Sequence, residues 1–185
     1  MVNIESPARE EVVAVADRLF YSRGIQAVPM DELRTAAGIS LKRLYSLFPS
    51  KDAIVAEVLI QRNAQWTRGL EAYAARVDSP ADKILSVFDF LEEWFAEDGF
   101  RGCVFINSFG ELGATAPAVA AATRDHKESF QRYLAGLVFD AGAPGYLAPQ
   151  IALLAEGAQT TAGISGDSRV AGQARAAAAT LLAAV

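Results

Sequence analysis

The chain has 185 residues, of which 52% are apolar and 21% charged, with a formal net charge of −5. That length is enough for one domain with a sizeable core, or for one domain and a small second piece. The single cysteine, Cys103, excludes an intramolecular disulfide, and one Cys with one His does not supply the roughly four ligands of a structural zinc site. Neither a signal peptide nor an uninterrupted apolar span of about 18 residues is visible. We therefore expect a cytoplasmic protein with no membrane partner, no metal and no cofactor.

The N-terminal part of the sequence predicts three helices before residue 51. The first spans Ala8 to Tyr21, where apolar residues recur at helical spacing, and it ends near Gly24. Two shorter helices follow, joined by a tight turn at Gly38. A pair of short helices joined in this way is the helix-turn-helix motif of many DNA-binding proteins.

The residues at the turn are those that this motif requires. Ala36 and Ala37 are small enough for two helices to cross closely, and Gly38 allows the backbone to leave the first of them. Ser40 is placed to cap the next helix, which runs to Phe48. Ser50 is placed in the same way before the helix that begins at Lys51.

The second short helix has one apolar face and one polar face. Leu44 and Phe48 are four residues apart, so with Leu33 and Ile39 they predict a small apolar core. The opposite face offers the donors that a helix in the major groove needs. Its members are Lys42, Arg43, Tyr45 and Ser46. Short amphipathic helix pairs also occur in helical proteins that do not bind DNA, so the pattern alone leaves both interpretations open.

A family resemblance favours DNA. The residues that carry it are Gly24, Leu33, Ala36-Ala37-Gly38-Ile39-Ser40, Leu44-Tyr45, Phe48 and Lys51. This order resembles the N-terminal signature of the TetR (tetracycline-repressor) family, closely over the first third of the chain and only in architecture beyond it. The resemblance implies a transcriptional regulator, usually a repressor, with a DNA-binding domain at residues 1–51 and a ligand-binding and dimerisation domain at residues 52–185.

Two positions depart from the family's usual pattern. Val28-Pro29 stands where a pair of hydroxyl residues usually opens the second helix, although Pro29 can still start a helix because its missing amide falls among the unpaired first-turn donors. Leu41 stands where a polar residue is more common, which leaves an apolar contact with a thymine methyl. The predicted DNA-binding residues are Arg9, Pro29, Leu41, Lys42, Arg43, Tyr45, Ser46 and Lys51.

The charge distribution accommodates this prediction. Residues 1–51 carry seven Lys or Arg against six Asp or Glu, a net charge of +1. Residues 52–185 carry ten against sixteen, a net charge of −6. We expect the acidic part to face away from the duplex and non-specific DNA affinity to be weak.

The rest of the chain predicts six more helices and no strand. A long fourth helix runs from Lys51 to about Arg76, and Ser79-Pro80 restarts the chain in a fifth. The remaining helices are expected at Cys103 to Leu112, from Pro117 to Gly142, from about Leu147 to Ile164, and from about Ser168 to the C-terminus. The fold class is therefore all-α, with about nine helices.

Aromatic residues concentrate in the middle helices and predict an apolar ligand pocket with a few polar anchors. Asn107 and Glu111 lie four apart on one face of an otherwise apolar helix, where they can anchor a ligand, satisfy each other, or satisfy a helix end or His126. Cys103 is expected as a small buried apolar residue, with a thiol sensor as the other interpretation. The predicted ligand-binding residues are Trp66, Phe88, Leu91, Trp94, Phe95, Cys103, Phe105, Asn107, Glu111, His126, Phe130 and Tyr133.

The last two helices each carry a stripe of small and apolar residues. In the resembled family such helices pair with their symmetry mates in a four-helix dimer interface, although the stripes can equally cover the chain's own core. The predicted interface consists of Ile151, Leu154, Ala158, Ala162, Val170, Ala174, Ala178 and Leu181. A palindromic operator on double-stranded DNA requires such a homodimer, because the recognition helices must lie about 34 Å apart.

The sequence thus predicts a repressor that leaves its operator when a small, mostly apolar effector favours a conformer with separated recognition helices. Two other functions remain as alternatives. One is a helical scaffold whose helix-turn-helix is only structural. The other is an enzyme using Glu111 and His126 as acid and base, which the absence of any nucleophile or phosphate-loop motif disfavours, so no catalytic residue is expected.

Overall fold

The computed structural model describes residues 5–185, and side chains from residue 7 onward. Within this range every regular element is an α-helix, as the periodicity predicts. The helices are α1 (Glu5–Arg23), α2 (Met30–Ala36), α3 (Leu41–Leu47), α4 (Lys51–Ala74), α5 (Pro80–Phe95), α6 (Val104–Leu112), α7 (Pro117–Asp140), α8 (Leu147–Ser165) and α9 (Val170–Ala183). None of these helices is long and apolar enough to cross a membrane.

Serine hydroxyls begin three of the helices, as predicted. The Oγ of Ser40 accepts a hydrogen bond from the amide of Arg43 at 3.1 Å, at the start of α3. The Oγ of Ser50 accepts one from the amide of Ala53 at 3.2 Å, at the start of α4. Ser79 caps α5 in the same manner. These bonds satisfy first-turn amides that have no partner within their own helix.

The chain packs as two compact units. The first comprises the residues up to Asn63 together with Val104–Arg124, and the second comprises Ala64–Cys103 and Asp125–Val185. The helices α4 and α7 each contribute residues to both units. The predicted boundary lies inside the long helix that starts near residue 51, and the division by packing also falls inside α4, after Asn63; the first unit contains α6 in addition. A DNA-binding domain of residues 1–51 stays a prediction.

The core of the first unit is built by aliphatic residues of α1 and α4 around the short helices α2 and α3. Fully buried members include Val12, Val13, Leu33, Leu44, Phe48 and Ile54. An ion pair between Arg62 and Asp17, at 2.7 Å, joins α4 to α1 at the edge of this core. The short helices thus rest on a rigid base of two longer ones.

The core of the second unit lies between α5, α8 and α9, which pack against one another. Trp66 and Leu70 of α4 and Phe130 and Leu134 of α7 complete it. Many of its members on α8 and α9 are alanines, whose small side chains allow close helix approach.

Candidate DNA-binding and ligand-binding sites

The turn between α2 and α3 is fixed by its backbone. Gly38 has φ = +66°, a conformation that side-chain-bearing residues rarely adopt. The amide of Ile39 donates to the carbonyl of Arg34 at 3.0 Å, and that of Gly38 donates to the carbonyl of Thr35 at 3.2 Å. This pair of bonds is the Schellman motif, which ends a helix with a glycine in the left-handed conformation. The turn therefore sets the direction in which α3 leaves α2.

The helix α3 presents one face to the core and the other to solvent. Leu44 is fully buried and Leu47 nearly so, whereas Ile39, which we expected in this core, is half-buried. On the outer face Leu41 is 40% exposed and Tyr45 49% exposed. Lys42 and Ser46 are exposed beside them, and Arg43 is half-buried. The outer face thus contains the predicted donors, with two large side chains among them.

Val28 and Pro29 stand before α2, where the resembled family usually has a pair of hydroxyl residues. Val28 is fully buried, so its apolar side chain contributes to the core of the first unit. Pro29 is exposed and lies at the N-cap, one position earlier than the first-turn position that the sequence indicates. Its carbonyl accepts from the amides of Glu32 at 3.1 Å and Leu33 at 3.2 Å. Here Val28 adds core contacts where a hydroxyl residue would add a cap.

The guanidinium of Arg9 is used inside the first unit. It donates to the carbonyl of Leu47 at 2.7 Å and to Glu57 Oε2 at 3.0 Å, and it lies 4.1 Å from the ring centroid of Phe48. These contacts tie α1 to the end of α3 and to α4. Arg9 thereby orients α3, and because a guanidinium has five N–H donors, the phosphate contact expected of it stays a prediction.

Lys51 is the first residue of α4 and is half-buried. Its ammonium lies 5.7 Å from the ring centroid of Phe20. Burial lowers its pKa below the ordinary lysine value, and the negative charges of Glu111 and Asp52 partly offset this. Its place at a helix N-terminus suits a phosphate, so the predicted contact stays a prediction.

Glu111 of α6 is bound to the end of α1. Its two carboxylate oxygens accept hydrogen bonds from the amides of Ile25 and Gln26, each at 2.9 Å, and the Gln26 side chain donates to the Glu111 carbonyl at 2.9 Å. Gly24 has φ = +88°, and a Cβ there would lie 3.2 Å from Glu111 Oε1. Of the roles left open by the sequence, Glu111 takes that of satisfying a helix end, and we correct its assignment as a ligand anchor.

Asn107, four residues before Glu111, is exposed. The expectation that burial makes this polar pair costly is therefore wrong for Asn107. Phe105 is buried in the first unit, where its carbonyl accepts from the hydroxyl of Thr123. The helix α6 thus packs in the same unit as the helix-turn-helix, which no sequence pattern indicated.

The ring of Trp66 lies at the centre of an aromatic cluster in the second unit. Four rings contact it edge-on, with centroid distances of 5.3 Å to Phe90, 5.6 Å to Trp94, 5.7 Å to His126 and 5.3 Å to Phe130. Edge-to-face contacts of this kind are the favoured geometry of aromatic pairs. The predicted residues Trp94, His126 and Phe130 thus join Trp66 in one cluster, together with Phe90, which the sequence did not indicate.

A cavity of about 120 Å³ opens beside this cluster. Its lining combines three predicted residues with three that the sequence did not indicate. They are Trp66, Phe130 and Tyr133, and then Thr67, Leu70 and Ser129. The remaining predicted aromatic and aliphatic residues Phe88, Leu91 and Phe95 are buried core members, while Trp94 is half-buried against that core.

His126 is buried, and its pKa is lowered from 6.5 to about 3. Burial is the main cause, and the positive charge of Lys127 adds to it. Lys127 in turn lies 3.3 Å from Glu156 Oε2 and 3.8 Å from Cys103 Sγ. Cys103 is buried, as expected of a small apolar side chain. The imidazole is neutral near pH 7 and is a poor base there.

The outer face of α3 lies in the segment that a family model recognises. Residues 12–58 match the model described as bacterial regulatory proteins, tetR family. Over this segment the chain resembles the TetR family. The matched segment includes most of α1, the whole of α2 and α3, and the beginning of α4.

Known proteins of the TetR family resemble the chain over longer stretches. The HTH-type transcriptional regulator EthR of Mycolicibacterium smegmatis is 28% identical over 127 residues, which are 69% of this chain and 52% of EthR. The chain thus spans about half the length of that relative. These relatives are transcriptional regulators and not enzymes.

Two solved structures of TetR-type proteins show the same fold. The TetR-family regulator SCO4454 of Streptomyces coelicolor superposes with a TM-score of 0.89, covering 97% of this chain and 96% of its own at 23% identity. The TetR-type protein sav143 of Streptomyces avermitilis superposes with a TM-score of 0.80, covering 96% and 97% at 29% identity. The all-α architecture with an N-terminal helix-turn-helix is therefore that of the TetR family.

The stripes that we predicted as a TetR-type dimer interface face inward. Ile151, Ala158, Ala162, Ala174 and Ala178 are buried in the chain's own core, and Leu154, Val170 and Leu181 are partly buried against it. These stripes therefore cover the chain's own core, which is the alternative that the sequence left open. The outer face of α8 instead carries Tyr146, Leu153 and Ile164, of which Leu153 is 74% and Ile164 84% exposed.

Proposed function

We propose that this chain is a DNA-binding transcriptional repressor that acts as a homodimer on a palindromic operator. A small, mostly apolar molecule held in the second unit releases it. The observation that carries the proposal is the exposed outer face of α3, held by a capped helix-turn-helix within the segment that matches the TetR model. A helix presented in this way fits the major groove with its first turns against base edges.

Each exposed residue of α3 has a role in this proposal. Lys42 donates to a guanine edge or a phosphate, and Tyr45 places a hydroxyl at the end of a rigid ring. Leu41 contacts a thymine methyl. Ser46 already donates to the carbonyl of Arg43 at 2.7 Å, so it approaches DNA as an acceptor.

The proposed dimer uses the outer faces of α8 and α9. The exposed positions of α8 recur every three or four residues through Tyr146, Gln150, Leu153, Gly157, Thr160 and Ile164. Those of α9 recur similarly through Arg169, Gln173, Ala176 and Thr180. Two such stripes meeting their symmetry mates bury large apolar side chains that a monomer leaves in water.

The fourth helix couples ligand and DNA in this proposal. It begins at Lys51 in the first unit and carries Trp66, in the wall of the cavity, fifteen residues later in the second. A ligand that binds one orientation of α4 more tightly shifts the population toward it and changes the spacing of the two recognition helices. A ligand with equal affinity for both orientations has no effect.

Selection of bound sequences from a random duplex pool tests the proposal. Purified protein is offered the pool at low and at moderate salt, and a palindrome with half-sites about one helical turn apart is the expected result. Recovery of no motif, or of binding that vanishes with salt, would favour a helical scaffold whose helix-turn-helix is only structural.

The dimer is tested by placing a charge on the outer face of α8. Leu153→Glu puts two carboxylates at the proposed interface, so we expect a monomer in sedimentation and loss of operator binding. Ile60→Glu is the matched control, because Ile60 is an exposed large apolar residue on a different helix, α4. A Leu153→Glu variant that stays dimeric would show that the interface lies elsewhere.

A further inference from the structure

We propose that Leu41 recognises the 5-methyl group of a pyrimidine, so that this methyl group raises operator affinity equally on thymine and on 5-methylcytosine. The inference rests on the proposed function, in which the outer face of α3 lies in the major groove. It goes beyond that function because it makes operator affinity depend on cytosine methylation at one position of each half-site. Its evidence is the position, the exposure and the chemistry of one side chain.

Leu41 lies where a recognition helix reads bases. It is the first residue of α3, and the first residues of such a helix contact base edges. Its side chain is 40% exposed, and that of Tyr45, four residues later, is 49% exposed. Residues four apart lie on the same side of a helix, so the carbon surfaces of the two side chains adjoin. The start of α3 therefore presents apolar surface to the base edges.

Two serines near Leu41 already have local hydrogen bonds. The Oγ of Ser40 accepts from the amide of Arg43 at 3.1 Å, and the hydroxyl of Ser46 donates to the carbonyl of Arg43 at 2.7 Å. Arg43 is half-buried, whereas Lys42 is exposed. Lys42 carries three donors on a flexible stem, which suit a phosphate or a guanine edge. The apolar part of base recognition therefore falls to Leu41.

The chemistry of leucine selects a methyl group. At the edges of the base pairs in the major groove, the 5-methyl group is the one that apolar side chains contact. Thymine carries this group, and cytosine carries it after 5-methylation. The leucine side chain has no donor or acceptor, so it does not distinguish the O4 acceptor of thymine from the N4 donor of cytosine. A contact through carbon alone depends on the methyl group and not on the base pair.

The size of the effect follows from the burial of one methyl group. Burying a single carbon group changes affinity by about fourfold for each half-site. The proposed homodimer contacts two half-sites, so loss of the methyl group from both should weaken binding about 15-fold. Uracil is the suitable probe, because it lacks the methyl group of thymine and keeps the same hydrogen-bonding groups.

The test measures the effect of the methyl group on two different base pairs. Thymines of the selected operator are replaced by uracil, one symmetric pair at a time. The position with the largest loss is then rebuilt with cytosine and with 5-methylcytosine opposite guanine. Fluorescence anisotropy should give an affinity about 15-fold higher for thymine than for uracil, and about 15-fold higher for 5-methylcytosine than for cytosine. Other contacts with each base pair cancel, because only the methyl group differs within a ratio.

Two substitutions assign the methyl effect to Leu41. In Leu41→Ala the shorter side chain should reduce both ratios to about twofold or less, whereas Leu41→Met keeps an apolar side chain of similar volume and should retain them. Leucine, alanine and methionine are all good helix formers, so α3 should persist in both variants. Any loss of folded protein lowers the apparent affinity for both duplexes equally. The ratios therefore report recognition and not stability.

The outcomes separate this inference from the proposed repressor. A methyl effect on thymine without one on cytosine, or unchanged ratios in Leu41→Ala, would overturn the inference and leave the repressor standing. A selected half-site without any thymine that is sensitive to uracil would do the same. Recovery of no operator would overturn both, because the inference requires α3 in the major groove.

Discussion

Directional polar contacts hold the helices of the first unit in place, whereas the second unit is packed mainly by aromatic rings and alanines. In the first unit, Glu111 binds two backbone amides, Arg9 binds the end of α3, and Ser40 caps it. In the second, four rings surround Trp66. Hydrogen bonds fix angles as well as distances, so they suit a face that has to match DNA.

Packing contacts impose less direction. A core built from them tolerates a cavity and rearranges around a ligand more readily than a hydrogen-bonded helix end does. The two proposed activities therefore rest on different forces. Substitutions in the two units should fail in different ways.

Removal of a core ring from the second unit should have the largest effect on stability. Phe88 is fully buried on α5, and Phe88→Ala should lower the free energy of unfolding by about 3–5 kcal/mol, through lost burial and the cavity left behind. Urea denaturation measures this. Phe139→Ala is the matched control, because Phe139 is 83% exposed and its loss should cost less than about 0.5 kcal/mol. Equal losses in both variants would contradict the packing of the second unit.

Acid should also destabilise the second unit, through His126. The unfolded histidine takes up a proton below pH 6.5, whereas the folded one stays neutral until about pH 3. The unfolded state binds more protons in this window, so stability falls as the pH falls, by about 2 kcal/mol between pH 7 and pH 5.

A comparison of His126→Gln with the unsubstituted protein isolates the contribution of His126 to the pH dependence of the unfolding free energy. His126 is the only histidine in the chain, so no other imidazole contributes to the difference. The difference in unfolding free energy between the two proteins should change with pH between 7 and 5 and be constant above pH 7. A constant difference throughout would show that His126 titrates normally when folded.

Loss of the carboxylate at Glu111 should affect the first unit. In Glu111→Gln one of the two accepting oxygens becomes an NH₂ group that faces a backbone amide, so we expect a loss of about 1–2 kcal/mol. Amide hydrogen exchange at Ile25 should rise at the same time. Glu97→Gln removes the same charge at an exposed position and serves as the control. Equal effects would assign the loss to charge alone.

Contacts between residues near each other in sequence could be predicted, whereas contacts between distant residues could not. The ends of α3, α4 and α5 depend on a serine and the residues after it, so local pattern was enough to predict them. Glu111 and its partner amides are 85 and 86 residues apart along the chain, and no local pattern connects them. The role of α6 in the first unit could therefore not be predicted.

The two faces of α8 could not be told apart for a different reason. Alanine and leucine occur all around this helix, so several stripes have helical spacing. We predicted the stripe through Ile151 and Ala158 as the interface, and both are buried in the chain's own core. Leu153 and Ile164 lie on the other face and are exposed, although their apolar side chains led us to expect no such exposure from the sequence. Only the packing of α5 and α9 decides which stripe is inside.

The cavity lining was predicted only in part because pattern identifies residue types and not empty space. The aromatic residue type was enough to predict Trp66, Phe130 and Tyr133. The polar residues Thr67 and Ser129 line the cavity only because of their positions on α4 and α7. The contacts of Arg9 with Leu47 and Glu57 are a further case, because no local pattern indicated them and the phosphate contact expected of Arg9 stays a prediction.

Substitution of Tyr45 should give the smallest change in the free energy of unfolding, and its effect should be specific to DNA binding. Tyr45 is 49% exposed on α3, so Tyr45→Ala should leave the melting temperature almost unchanged. If the side chain contacts DNA, operator affinity should fall by about 1 kcal/mol for each half-site, which is about fivefold per half-site and about 30-fold for the proposed dimer. Tyr45→Phe separates ring from hydroxyl: a hydroxyl contact with a phosphate is lost in both variants, whereas a ring contact with a base survives in Tyr45→Phe. Fluorescence anisotropy with the selected operator measures all three proteins, and unchanged affinity in Tyr45→Ala would remove α3 from the DNA interface while leaving its fold intact.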